Sequence, residues 1–148
     1  MWTAQVAKGV WGGAWNVMMS QLAPRSSSGA YTRPESGFRH RIEEGGRFPP
    51  EAGRYYLYAA LSCPWAHRAL LLHSLKGLEG AVPLCVAVPG EAGLWEFRPR
   101  AEGGGGSQVA PTLDRWRGCS TVRQVYESQE GGYDGRCTVP MLWDNKTR

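Results

Sequence analysis

An apolar run, Tyr55-Tyr56-Leu57-Tyr58-Ala59-Ala60-Leu61-Ser62, ends at Cys63-Pro64-Trp65, and this junction constrains the fold more than any other feature of the 148 residues. Residues 54–62 are rich in Tyr and Leu with little charge, as suits a buried strand. Pro64 lacks an N–H and has a pre-set φ, so it fits the first position of a helix, with Cys63 as N-cap. The helix expected over residues 65–76 carries Leu70, Leu71, Leu72 and Leu75 as an apolar stripe. It stops at Gly77, with Lys76 in its last turn. A short apolar run over 81–88, closed by Pro89-Gly90, completes a strand, helix, strand order with a crossover, the unit from which parallel sheets are built.

Chemistry is expected at the same junction. A cysteine in the first turn of a helix faces unpaired backbone N–H groups and the positive end of the dipole, and both favour thiolate over thiol. Three residues on, where a dithiol oxidoreductase has its second cysteine, stands Ala66, so no internal disulfide forms at this site. The second thiol must come from solution, and glutathione is the abundant intracellular candidate for a mixed-disulfide route. The plainer alternative is a buried, inert cysteine that only caps a helix.

The length suits one domain with a real core. Twenty Gly and ten Pro point to a sizeable share of loop, and Gly103-Gly104-Gly105-Gly106-Ser107 has the composition of a flexible linker, so residues 91–109 read as an insert outside the core. A short helix is expected over 121–129. Val139 before Pro140 is biased to extended backbone, so a third strand begins there, and Asp144-Asn145 resembles a turn into a fourth. Arg148 comes before that fourth strand, which gives the expectation of a fragment.

Seventeen Lys and Arg against thirteen Asp and Glu give a net charge of +4, but the basic residues are scattered. Nucleic-acid binding needs a clustered basic face and is not expected. The four cysteines, Cys63, Cys85, Cys119 and Cys137, lack paired spacing, so zinc is not expected and reduced thiols are the default. No apolar stretch approaches the about 20 residues of a membrane span. The first 34 residues hold Lys8, Arg25, Arg33 and Ser26-Ser27-Ser28 but no acid before Glu35, a weak likeness to a transit peptide; an ordinary extended arm explains them equally well.

Cys63-Pro64-Trp65-Ala66-His67-Arg68, Leu75-Lys76-Gly77-Leu78-Glu79 and Gly135-Arg136-Cys137-Thr138-Val139-Pro140-Met141-Leu142-Trp143-Asp144 together closely resemble the glutathionyl-hydroquinone reductases, the xi-class glutathione transferases. Gly29-Ala30-Tyr31-Thr32-Arg33 and Ser36-Gly37-Phe38-Arg39 with Ile42 resemble the family's N-terminal arm. Trp95-Glu96-Phe97 is similar to its Gly-Trp-x-Phe element, although Leu94 separates Gly93 from Trp95. The resemblance covers roughly 29–148 and leaves the Gly-rich run unmatched.

The resemblance implies an α/β, thioredoxin-like N-terminal domain without its all-helical C-terminal partner. Residues 1–50 would form an arm, and 51–148 an incomplete domain with an insert around 91–109. It implies that Cys63 attacks the sulfur of a glutathionyl-hydroquinone and holds glutathione as a mixed disulfide, which a second glutathione removes in oxidised form. Glutathione would be the co-substrate, the glutathionylated quinol the substrate, and no metal, nucleic acid or membrane would take part. The family's proton-donating tyrosines lie in the C-terminal domain, and no position here corresponds to them.

Val139-Pro140 matches the family's cis-proline corner, whose backbone pairs with the cysteinyl part of glutathione like an added strand. Arg136 and Thr138 are carried over as neighbours of the same ligand, with a solvent-exposed arginine as the plainer reading of Arg136. Trp95 matches a residue packed near glutathione; filling the core is its alternative. His67 and Arg68 read as structural or surface residues. An omega-like thioltransferase or dehydroascorbate reductase shares the Cys-Pro-aromatic motif, and a truncated, non-catalytic thioredoxin-like module stays open. The compartment is read as cytoplasm, with plastid or mitochondrion as alternatives, and a homodimer of the full-length protein is left open.

Overall fold

The structure is a computed structural model that describes residues 26–30, 32, 35–90, 93–99 and 110–147. Gly103 to Ser107 and most of the transit-like segment lie outside them. The chain divides into two compact units, residues 1–42 and 43–148. In the first, Ser26 N–H donates to Ala30 O at 2.8 Å in a short turn. All regular structure among the described residues belongs to the second.

Four strands, β1 (Tyr55–Ala60), β2 (Leu84–Pro89), β3 (Trp95–Glu96) and β4 (Met141–Asp144), form one sheet in the order β3-β2-β1-β4. β1 is central, and all six of its residues are buried. A strand covered on both faces needs apolar residues at successive positions, and this explains why Tyr-Tyr-Leu-Tyr-Ala-Ala shows no alternation. β1 pairs parallel with β2 and antiparallel with β4, with Tyr58 opposite both Cys85 and Met141.

Helix α1 (Pro64–Leu75) makes the crossover between β1 and β2. Pro64 is its first residue. Its end is closed by Gly77 at φ +60°: Gly77 N–H donates to Ser74 O and Leu78 N–H to His73 O, both at 3.0 Å, the paired bonds of a Schellman cap. The expected Leu stripe is corrected. The buried face is Ala66, Leu70 and His73, spaced one helical turn apart, whereas Leu71, Leu72 and Leu75 are exposed. The consecutive leucines cannot all lie within one stripe at 3.6 residues per turn. His73 takes an interior position because its Nε2 lies 2.7 Å from Val82 O.

β3 comes from the stretch read as an insert. Trp95 and Glu96 pair with Pro89 and Val88, and Phe97 is buried against Tyr58, ring centroids 5.6 Å apart. The short helix α2 (Val122–Glu127) is held by a capping box in which Thr121 Oγ1 accepts Gln124 N–H while the Gln124 side chain accepts Thr121 N–H. Val122 and Val125 are fully buried and fix its inner face.

Ion pairs hold the sheet at the start of β1 and the end of β4. Arg54 forks onto Asp144, Nε to Oδ1 at 2.9 Å and Nη2 to Oδ2 at 2.6 Å. Lys146 Nζ reaches Glu51 at 2.6 Å. Chemistry-bearing residues gather at the opposite end.

Candidate active site

β1 ends at Ala60 and feeds into Cys63, the N-cap of α1, with extended backbone (φ −96°, ψ 112°). Cys63 is buried, and its carbonyl accepts His67 N–H at 3.1 Å, the first bond of the helix. The thiol, expected to face the helix N–H groups, makes no cap hydrogen bond to them. It donates instead to Val139 O at 3.3 Å. Pro64 removes one N–H from the first turn, and the strand order brings an acceptor alongside. Because Met141 pairs with Tyr58, the residues just before β4 lie beside the residues just after β1.

Those residues form the second half of the site. The Val139-Pro140 peptide bond is cis, and Val139 is buried. The structure thus brings together Cys63, Val139 and Pro140, which are 76 residues apart in sequence between the thiol and its acceptor. Thr138 is half-buried, and its carbonyl accepts the Tyr126 hydroxyl at 2.9 Å. Arg136 is exposed, and its carbonyl accepts the Tyr133 hydroxyl at 3.3 Å. Trp95 is at the same end of the sheet but on β3, two strands from β1, half-buried against the core. With strands about 4.8 Å apart it stands about 10 Å from the β1 line. His67 and Arg68 are exposed, with the Arg68 guanidinium over the Trp65 ring.

None of the four cysteines is paired. Burial pushes the Cys85 thiol up to about 11, against a smaller lowering by the Thr112 hydroxyl, so it stays protonated at neutral pH. Burial also raises Cys119 and Cys137. Among the described residues no group of three or more His, Cys, Asp or Glu side chains is gathered as metal ligands would be, and no helix is long and apolar enough to cross a membrane.

Two supporting residues were not singled out from the sequence. Tyr126 lies in α2, one residue after Val125, and nothing in its neighbourhood signals that its hydroxyl reaches Thr138. Asp114 is a buried carboxylate in the loop before α2: Oδ1 accepts the Tyr58 hydroxyl and the N–H groups of Trp116 and Arg117, and Oδ2 accepts Cys119 N–H, all at 3.2–3.3 Å. An Asp followed by a turn is a weak loop signal, and its partner Tyr58 is 56 residues away.

In this chain a thiol at a strand-to-helix corner thus faces a cis-proline corner. No family model matches the sequence. A glutathionyl-hydroquinone reductase of Sphingobium chlorophenolicum is 41% identical over 138 residues, which cover 92% of this chain and 39% of that protein. The crystal structure of the xi glutathione transferase of Phanerochaete chrysosporium superposes with a TM-score of 0.68 at 35% identity, over 83% of this chain and 38% of that one. The chain is xi-class glutathione transferase-like.

The xi glutathione transferase of Saccharomyces cerevisiae, solved in complex with glutathione, superposes with a TM-score of 0.65 at 29% identity, over 80% of this chain and 42% of its own. The xi-like chain therefore spans about two fifths of the relatives it matches. Its sheet and helices form the thioredoxin-like α/β domain expected for the N-terminal part of these proteins.

Proposed function

We propose that this chain carries the thiol half of a glutathione-dependent enzyme, in which Cys63 reduces glutathionyl-hydroquinones. The observation that carries the reading is the Cys63 Sγ contact with Val139 O at the cis-proline corner. The chain's similarity to the Sphingobium glutathionyl-hydroquinone reductase and to the yeast enzyme solved with glutathione supports it. The Cys63 thiolate attacks the glutathione sulfur of the substrate. An S–S bond forms, the sulfur–aryl bond breaks, and the aryl carbon takes the electron pair and a proton, which releases the hydroquinone. The thiolate of a second glutathione attacks the mixed disulfide, oxidised glutathione leaves, and Cys63 is regenerated. Val139 offers backbone groups for strand-like pairing with glutathione, Thr138 and Pro140 shape that corner, Arg136 is suited to a carboxylate, and Trp95 closes the side next to β3. Unpaired thiols suit a reducing compartment, which we take to be the cytoplasm.

Single-turnover reaction of the chain with a glutathionyl-hydroquinone tests the proposal. Release of one hydroquinone per chain with glutathione left on Cys63, both absent in Cys63→Ser, is expected. A mixed disulfide with oxidised glutathione but no reaction with the glutathionyl-hydroquinone would replace this activity by a thioltransferase. No adduct with either would overturn the glutathione reading.

A further inference from the structure

We propose that Tyr126 is a positioning residue for the thiol site, its buried hydroxyl setting the orientation of the 138–139 peptide so that the Val139 N–H is aimed at the backbone of bound glutathione. This rests on the glutathione reading above and assigns a residue to it that no sequence motif marks.

The segment 133–140 contains no helix or strand, so no ladder of backbone hydrogen bonds fixes its peptide planes. Side chains do so instead. Tyr126 Oη donates to Thr138 O at 2.9 Å, and Tyr133 Oη donates to Arg136 O at 3.3 Å, so two phenols hold alternate carbonyls of the run leading to the cis bond. The two rings pack on each other, centroids 4.9 Å apart and 31° between planes. Tyr126 is itself fixed, since α2 is anchored by the fully buried Val122 and Val125 and capped by Thr121.

The peptide unit makes this hold consequential. Thr138 C=O and Val139 N–H share one rigid plane and point in opposite directions across it, so fixing the carbonyl on Tyr126 aims the N–H away from α2. The next carbonyl, Val139 O, faces the Cys63 thiol. An extended ligand joined to Cys63 through sulfur pairs with both backbone groups of Val139 only if this plane keeps its angle. Burial pushes the Tyr126 phenol above its usual value, against a smaller lowering by Thr138, so it stays a donor through neutral pH.

The test compares two disulfides that react with Cys63 in the same way. The Cys63 thiolate displaces one thiolate from the disulfide: a new S–S bond forms, the old one breaks, and the leaving thiolate takes up a proton. Oxidised glutathione brings a peptide backbone; hydroxyethyl disulfide brings none. Equilibrium constants for the two adducts are read by intact mass in the wild-type chain, in Tyr126→Phe and in Tyr58→Phe. The last loses a buried tyrosine hydroxyl bonded to Asp114. Tyr126→Phe is expected to lower the preference for glutathione over mercaptoethanol about five-fold, the factor one ordinary hydrogen bond represents, with the mercaptoethanol adduct unchanged. Tyr58→Phe is expected to keep the wild-type preference. An unchanged preference in Tyr126→Phe, an equal fall in both variants, or a Tyr126→Phe chain that no longer folds by circular dichroism would overturn the assignment and leave the glutathione reading standing. No preference in the wild-type chain would overturn both.

Discussion

Replacing Asp114 by Ala should unsettle the loop that leads into α2, because one carboxylate there serves donors from several residues. Tyr58 is fully buried, and its hydroxyl has no route to water once Oδ1 is gone. The N–H groups of Trp116, Arg117 and Cys119 lie in a loop of exposed and half-buried residues and regain part of their hydration. An unsatisfied buried donor costs about 1–3 kcal/mol and a rehydrated amide well under that, so the loss is about 3 kcal/mol in all. Tyr58→Phe removes donor and contact together and costs about 1 kcal/mol. With a urea slope of about 1.5 kcal/mol/M, the midpoint falls by about 2 M in Asp114→Ala and by less than about 1 M in Tyr58→Phe. Tryptophan fluorescence during urea titration reads both. An Asp114→Ala midpoint no lower than that of Tyr58→Phe would refute the view that this carboxylate organises the loop.

Stability should also depend on pH through Asp144. Burial works against its ionisation, but the Arg54 fork, Lys146 N–H and the Thr147 hydroxyl hold it well below the usual carboxylate range. A lowered folded-state value gives a stabilisation that is complete above the unfolded value of about 4 and is lost as pH falls through the folded one. The urea midpoint gap between wild type and Asp144→Asn should therefore shrink from pH 7 to pH 2.5; a gap independent of pH would contradict this. Thr121→Ala, which removes the acceptor of Gln124 N–H in the capping box, should cost about 1 kcal/mol in the same titration, and no loss would show that α2 is held by Val122 and Val125 alone.

The elements legible in the sequence are those whose cause is local. Pro64 opens α1 because of what a proline lacks, Gly77 closes it because of what a glycine tolerates, and Val139 before Pro140 marks the approach to β4. The apolar run of β1 reads as a buried strand, and all six of its residues are buried. What stayed illegible depends on partners far along the chain. Leu71, Leu72 and Leu75 look like core but face outward, and His73 looks polar but is buried, since a carbonyl at Val82 decides the matter. The two residues of β3 are too few to show periodicity and gain their place by pairing with β2. At the site, the Cys63 corner and the Val139-Pro140 corner were each readable, and the structure adds their contact. The support from Tyr126 and Asp114 was not, because a hydroxyl or carboxylate that serves a distant backbone group leaves no spacing to find.

The most direct measurement is peptide mapping of the chain after brief exposure to oxidised glutathione at pH 7.5. Glutathione is expected on Cys63, with Cys85, whose thiol burial pushes up to about 11, left unmodified along with Cys119 and Cys137. Modification spread over the other three cysteines, or an adduct level unchanged in Cys63→Ser, would contradict a glutathione site built on Cys63.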